Sequence, residues 1–368
     1  MKFTCEKYVL QNAITIAMRA VASKSPIQHL EGLLIEAGMK VRITGFDLKE
    51  GIYTSIDADV AQAGSIVVEA KLFSEMIRRL PDGMVTITTD NNLSVNVKCG
   101  KSEYNFIGLN AEDFPELPNV EGINYITLPQ NMLKSMINQT IFAVSDSETR
   151  PVYTGELFEI DNSTLTIVAV DGYRLAKRTE KIDGELENCT FIVPGTALAD
   201  VERICGDEDD AVEIVVGAKH ISFVIGSTVL VSRRLEGDFL NYRKSIPSEF
   251  KYVLGISRQE LISAIDRVTI VVTEKNNSPV RMTVNDSSID LLCNSGISRA
   301  EDVCGCEGTG EGLEIGFNGR YMKDALKAAG VDKLDLKLNT PNSPCVIKAN
   351  NGDESFEYMI LPVRLRAD

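Results

Sequence analysis

Histidine is nearly absent from this 368-residue chain, which holds only His29 and His220. A Ser-His-Asp relay needs a histidine that can be placed between nucleophile and acid, and no such order can be assigned here. His220 lies in a strand-like run without a recognisable partner and reads as structural. Long apolar runs are missing too. None approaches the ~20 residues that a membrane-spanning helix needs. Met1-Lys2-Phe3-Thr4-Cys5-Glu6 has no apolar signal core, so neither membrane insertion nor export is expected. The eight cysteines are scattered, and in a chain this long they read as reduced, buried small hydrophobes. These points favour the cytoplasm. Cys304-Gly-Cys306 lacks a second ligand pair at zinc spacing. Glycine-rich Gly305 to Gly312 lacks a P-loop lysine and does not join a strand to a helix. The expectation is no catalytic residue, no metal and no cofactor.

What the chain has in excess is acid, with a formal net charge of -15. Taken alone this opposes nucleic-acid binding, which relies on Lys and Arg. The acids, however, cluster in turn-like segments such as Asp207-Glu208-Asp209-Asp210 and Asp183-Gly184-Glu185, while many bases fall on helical stretches. A protein acidic outside and basic on one inner surface fits both facts.

The chain also repeats itself. Leu10, Ile14 and Val21 return at the same internal spacing as Leu133, Ile137 and Val144, and again as Leu261, Ile265 and Val272. A second helical stretch carries Arg79, Arg203 and Lys327 at equal separations. A period of roughly 120 residues marks a duplicated domain rather than a solenoid repeat. Each copy reads helix, strands, helix, strands. In the first, the apolar period predicts a helix from Glu6 to Ala22 and another from Lys71 to Leu80, stopped by Pro81-Asp82-Gly83. Period-two runs from Met84 to Leu109 predict an antiparallel meander. In the third copy, Val280 to Val284 and Ser288 to Cys293 read as two strands, and a final strand runs from Phe356 to Val363. Polar, proline-bearing linkers near Pro118 to Gly122 and Pro247 to Phe250 divide the chain into 1–122, 123–249 and 250–368. The fold class is α+β: three repeated domains, each with two helices and antiparallel sheets.

If three such domains pack in an arc, six helices line a concave surface. Lys24, Lys71, Arg79, Lys134, Arg203 and Lys327 belong to or flank those helices. Ordinary solvated helix residues would look the same, and Glu75, Glu202 and Asp324 share the helices. The regular recurrence of Arg79, Arg203 and Lys327 favours a functional role.

At this point the chain resembles a known family, the sliding clamp of bacterial chromosomal replication, the beta subunit of DNA polymerase III. The resemblance spans the whole sequence. It is carried by Ala111-Glu112-Asp113-Phe114-Pro115, Arg150-Pro151-Val152, Val170-Asp171-Gly172-Tyr173-Arg174-Leu175-Ala176 and Arg234-Leu235-Glu236-Gly237. Phe317-Asn318 with Tyr321 and the ending Tyr358-Met359-Ile360-Leu361-Pro362-Val363-Arg364-Leu365 complete it. It implies the DNA clamp fold, a head-to-tail homodimer forming a six-domain ring, and double-stranded DNA held without sequence preference. It also implies partners that carry short clamp-binding peptides: the replicative polymerase, the clamp loader and other DNA-processing proteins.

Carried over by motif, the resemblance implies a peptide-binding pocket of Tyr153, Val170, Gly172, Tyr173, Arg174, Leu175, Leu240, Lys244, Asn318, Tyr321, Asn342, Pro344, Ile360, Leu361, Pro362, Val363, Arg364 and Leu365. Several of these could equally form an interdomain core. The family's dimer interface would fall on Tyr104 and Phe106 facing Ile270 and Val271. Tyr173 stands where many members have His, Leu240 where many have Pro, and Arg366-Ala367-Asp368 extends past the usual end. The rival reading is a three-domain protein-interaction scaffold that does not bind DNA, supported by the net charge.

Overall fold

The computed structural model describes residues 1–183, 187–272, 278–353 and 355–365. Part of the Asp183-Gly184-Glu185 cluster and all of Arg366-Ala367-Asp368 lie outside the described residues. In the first copy, strand β1 (Lys2–Glu6) leads into helix α1 (Lys7–Ala17). Five strands follow: β2 (Gly32–Ala37), β3 (Val41–Phe46), β4 (Glu50–Ile56), β5 (Asp59–Gln62) and β6 (Gly64–Glu69). Helix α2 (Ala70–Arg79) and the meander β7 (Met84–Thr89), β8 (Ser94–Cys99) and β9 (Ser102–Ile107) complete the copy.

The second copy repeats the order as β10 (Asn124–Pro129), α3 (Gln130–Asn138), β11 (Gly155–Asp161), β12 (Thr164–Val170), β13 (Arg174–Lys181), β14 (Cys189–Pro194), α4 (Gly195–Ile204), β15 (Ala211–Val216), β16 (His220–Ile225) and β17 (Thr228–Arg233). The third has β18 (Tyr252–Ser257), α5 (Arg258–Thr269), β19 (Val280–Asn294), β20 (Arg299–Phe317), α6 (Gly319–Ala328), β21 (Lys333–Leu338), β22 (Cys345–Ala349) and β23 (Phe356–Ile360).

Among the described residues every strand pair is antiparallel, in three sheets. The orders are β5-β1-β7-β8-β9, β10-β15-β16-β17-β4-β3-β2-β6 and β14-β11-β12-β13-β23-β22-β21-β18-β20-β19. Two of these sheets cross copy boundaries, because β4 pairs with β17 and β13 with β23. The chain therefore separates into two compact units that do not follow the repeats. One unit is Met1–Lys134 with Ala199–Arg234, and the other is Ser135–Leu198 with Leu235–Asp368.

The helices form where the apolar period and the caps coincide. α1 buries Leu10, Ala13, Ile14 and Ala17 on one face. The side chains of Glu69, Ser257 and Asn318 accept N–H groups in the first turns of α2, α5 and α6. α1 ends above β3, where a Cβ on Gly45 would sit 2.1 Å from the Ala17 carbonyl oxygen, so only glycine permits that approach.

The structure corrects four expectations. The helical period does not reach its third residue. Val21, Val144 and Val272 lie past the helices, each donating its N–H to a carbonyl three residues back, on Met18, Ile141 and Thr269. The triplet thus marks a tight helical exit as well as a helix face. The opening residues, placed partly in a helix from Glu6, form β1 between β5 and β7. Val280 to Cys293 is one strand, bulged near Asp286, rather than two. The last strand ends at Ile360, so Leu361 to Val363 do not extend it.

Among the described residues the eight cysteines form no disulfide. Burial pushes the thiols of Cys5 and Cys345 up to about 12, which leaves them unreactive.

One buried acid stands out. Glu156 on β11 is fully buried, and among the described residues neither carboxyl oxygen has a hydrogen-bond partner. Burial pushes it up to about 8, and Thr140 pulls weakly the other way. The Thr140 hydroxyl commits its proton to the Met136 carbonyl at 2.8 Å. In the unfolded chain this group ionises near ~4.3. Its stabilising influence is therefore complete below about pH 4 and is lost as pH rises toward 8, at about 1.4 kcal/mol per unit. Glu156→Gln is expected to flatten the fall in unfolding free energy between pH 5 and 8. Denaturant titrations at three pH values would show it, and parallel slopes for parent and variant would refute it.

Candidate functional site

The expected pocket residues all fall in the second unit, and its fold gathers them from six separate stretches. The floor is the outer row of the ten-stranded sheet. Val170, Leu175, Val346 and Met359 join Leu157, Val168, Ile192 and Tyr242 in one apolar cluster, with Tyr153 and Phe239 packed against it. Tyr153 meets Phe239 edge-on at 5.6 Å. The connector after β17 crosses this face. Tyr242 donates to Glu159 at 2.7 Å and Arg243 to the same oxygen at 2.8 Å. Burial pushes the Glu159 carboxyl up, but these two donors win and hold it below the usual carboxylate range. Leu240 and Lys244 on this connector are exposed.

One wall is the turn between β12 and β13. The Asp171 carboxylate accepts the backbone N–H groups of Tyr173 and Arg174 at 2.8 and 2.9 Å, and Gly172 takes a φ of +93° that favours glycine. The turn projects Tyr173, which is 63% exposed, beside Tyr321 with ring centroids 6.3 Å apart and nearly parallel. Asn318 caps α6 through N–H groups of Arg320 and Tyr321. Burial pushes the Tyr321 hydroxyl above its ordinary range, helped by the Asp171 charge.

The opposite edge is the chain's tail. The Leu361 N–H donates to the Tyr173 carbonyl and the Val363 N–H to the Gly316 carbonyl, both at 2.8 Å. Leu361 and Val363 keep their side chains exposed, as does Arg364, while Pro362 and Leu365 are half-buried. Asn342 is exposed and Pro344 half-buried in the turn before β22. Ile360 points to the other face of the sheet and is wholly buried, so it belongs to the core.

The motif places Arg174 in the pocket, and the structure turns it inward. It is only 7% exposed, and its guanidinium is already gripped. Its Nε donates to Asp171 at 3.0 Å and its Nη1 to Asp324 at 2.6 Å. The Tyr321 ring lies 4.3 Å and the Phe142 ring 5.4 Å away. It braces the wall from behind. The sequence marks Asp324 only as an acid sharing the helices, and Phe142 not at all. The signal was present: Asp324 precedes Lys327 as Asp200 precedes Arg203.

Of the expected basic residues, Lys24, Lys71, Arg79, Arg203 and Lys327 are exposed and Lys134 half-buried. Three have acidic neighbours: Arg79 with Glu75 at 3.3 Å, Lys134 with Asp207 at 2.7 Å, and Arg203 with Asp200 at 3.4 Å. Tyr104 and Phe106 lie on β9 but pack half-buried against the first unit's core, leaving Ile107 as that strand's exposed apolar side chain. Ile270, just past α5, is 81% exposed, and Val271 is half-buried. Among the described residues, no group of three or more His, Cys, Asp or Glu could hold a metal ion, and no helix is long and apolar enough to cross a membrane.

Three α+β copies whose antiparallel sheets run on from one copy to the next define the DNA clamp fold. Family models of the DNA polymerase III beta subunit match in succession: the N-terminal domain over residues 1–118, the central domain over 127–241 and the C-terminal domain over 243–364. The "Beta sliding clamp" of Bacillus subtilis is 33% identical over 377 residues, covering 99% of this chain and 100% of the relative. That of Staphylococcus aureus is 31% identical over 376 residues, covering 99% of each. The crystal structure of the DNA polymerase sliding clamp from Bacillus subtilis matches with a TM-score of 0.95 at 32% identity, over 100% of both chains. The chain belongs to the DNA polymerase III beta subunit family, the beta sliding clamps.

Proposed function

We propose that this chain works as a cytoplasmic sliding clamp, a non-catalytic processivity factor. Two copies close a six-domain ring round duplex DNA, and the ring tethers the replicative polymerase and other proteins by short peptides. The observation that carries this reading is the full-length match to beta sliding clamps in sequence and fold. Contacts from Lys24, Lys71, Arg79, Lys134, Arg203 and Lys327 to phosphates carry no sequence information, so the ring can slide. The pocket around Tyr173, Leu240, Leu361 and Val363 offers apolar surface with few polar groups, which suits a short peptide anchored by one or two side chains. A single such anchor implies affinity on the order of micromolar.

The repeats themselves favour a head-to-tail dimer. The turns opening β4, β13 and β20 share one hydrogen bond: Asp47 N–H to Glu50 oxygen, Asp171 N–H to Arg174 oxygen, and Ser295 N–H to Ser298 oxygen. The first two turns lead into strands that pair with β17 and β23, each the last strand of its copy. After the third, β20 from Arg299 to Cys304 pairs only with β19 among the described residues, and β9, the last strand of copy one, ends its sheet. These two open edges suit one another in a second subunit, and they would place Tyr104 and Phe106 of one chain near Ile270 and Val271 of the other. A closed two-fold ring leaves neither edge free.

Light scattering should give the mass of two chains. The clamp, once loaded, should stay on closed circular DNA and leave when the circle is cut. Retention that is indifferent to cutting would refute encirclement, and a dimer with no DNA retention at all would favour a protein-interaction scaffold.

A further inference from the structure

Arg174 is held by two residues one helical turn apart on α6. The Tyr321 ring lies against its guanidinium at 4.3 Å and the Asp324 carboxylate accepts from Nη1 at 2.6 Å. Residues three apart on a helix share a face, so this is one grip rather than two accidental contacts. The other end of the guanidinium is tied to Asp171, whose second oxygen holds the turn that projects Tyr173. The Tyr173 carbonyl in turn accepts the Leu361 N–H. A single chain of contacts therefore runs from Asp324 through Arg174 and Asp171 to Tyr173 and Leu361. These link α6 of the third copy to the turn of the second.

Among the described residues, the first unit contains parts of the same arrangement, without the link from the arginine to the turn aspartate. Asp200 occupies on α4 the place of Asp324 on α6, three residues before the recurring base, and accepts from Arg19 at 3.1 Å. Asp47 holds the equivalent turn through the N–H groups of Lys49 and Glu50. There Glu50 stands in the place of Arg174, and the arginine comes from the segment after α1 instead. An aspartate on the second helix grips an arginine at both junctions, although the arginine has changed position. What the second junction adds is the exposed pair Tyr173 and Leu361 at the end of the chain of contacts.

We infer that Asp324 is a positioning residue for the peptide pocket, setting the distance between Tyr321 on α6 and Tyr173 on its turn through Arg174. The inference rests on the reading of this face as the partner site. Asp324 itself need not touch a peptide. Without its charge, the buried guanidinium keeps Asp171 as its carboxylate partner and the two rings, the α6 side of the grip loosens, and the two tyrosines no longer keep a fixed gap. Loss of an outer support costs about tenfold or more at metal sites, and a loss of about tenfold in peptide affinity is expected here.

The test uses the full-length dimer and a synthetic peptide copied from a clamp-contacting segment of a bacterial replicative DNA polymerase, titrated by calorimetry. Asp324→Asn should weaken binding about tenfold, Asp324→Glu should recover most of the loss, and Asp200→Asn should leave the peptide affinity unchanged while removing the same kind of ion pair elsewhere. Thermal melts and light scattering on each variant report whether fold and dimer survive. Equal affinity for the parent and Asp324→Asn overturns the inference, as does equal weakening by Asp200→Asn, which would mean a general loosening. If the parent itself does not bind the peptide, the fault lies with the pocket reading rather than with Asp324.

Discussion

A chain carrying Leu361→Asp and Val363→Asp is expected to lose binding to polymerase-derived peptides while remaining a dimer. The backbone of this tail is already fixed, through Leu361 N–H to the Tyr173 carbonyl and Val363 N–H to the Gly316 carbonyl. The side chains, by contrast, stand out at 36% and 40% exposure. Aspartate at either place is therefore compatible with the fold, because its charge remains in water. A ligand covering these positions would have to desolvate two carboxylates beside an apolar floor. An unpaired buried charge costs several kcal/mol, so a micromolar interaction should become undetectable. Calorimetry against the peptide and light scattering on the same sample decide the matter. An unchanged affinity would place the pocket elsewhere.

Replacing Lys24, Arg79, Arg203 and Lys327 together with Glu should abolish stable residence on DNA. Each contact to a phosphate releases a counterion, so affinity falls steeply with salt, and reversing four charges turns attraction into repulsion. All four residues are exposed, so the fold should tolerate the change. Arg79 and Arg203 must exchange their carboxylate neighbours Glu75 and Asp200 for phosphate, which makes their net gain smaller than that of a free base. The expected result is a clamp that dimerises, binds peptide, and fails to support processive synthesis on primed circles. Processivity equal to the parent's would exclude these bases as the DNA contacts.

Much of the fold was legible because apolar periods are local. α2 lies within a residue of the helix read from Lys71 to Leu80, and β7, β8 and β9 fall inside the period-two runs from Met84 to Leu109. What could not be read locally was edge chemistry. β1 is a strand because β5 and β7 flank it, although its five residues adjoin a helical period. The 3-10 exits after α1 and α3 depend on how each helix end meets its sheet, which residue spacing does not encode. For the candidate site, the motifs located the turn, the α6 cap and the tail. They did not reveal that Arg174 faces inward, because burial depends on Asp324 and Phe142, which lie far away in sequence. Nor could they separate Ile360, a core residue, from its exposed neighbour Leu361, since only the β13–β23 register decides which face each takes.

Because β4 pairs with β17 and β13 with β23, the unit that was duplicated is not the unit that folds. A strand stripped of its neighbour in the next copy would expose a row of unpaired backbone groups, an invitation to aggregate. Excising the central repeat at its linkers would therefore yield a fragment with two raw borders, β13 and β17, instead of a small independent domain. Duplication multiplied the pattern, but the sheets close only where one copy meets the next. The chain repeats in thirds, while its strands pair across the borders between them.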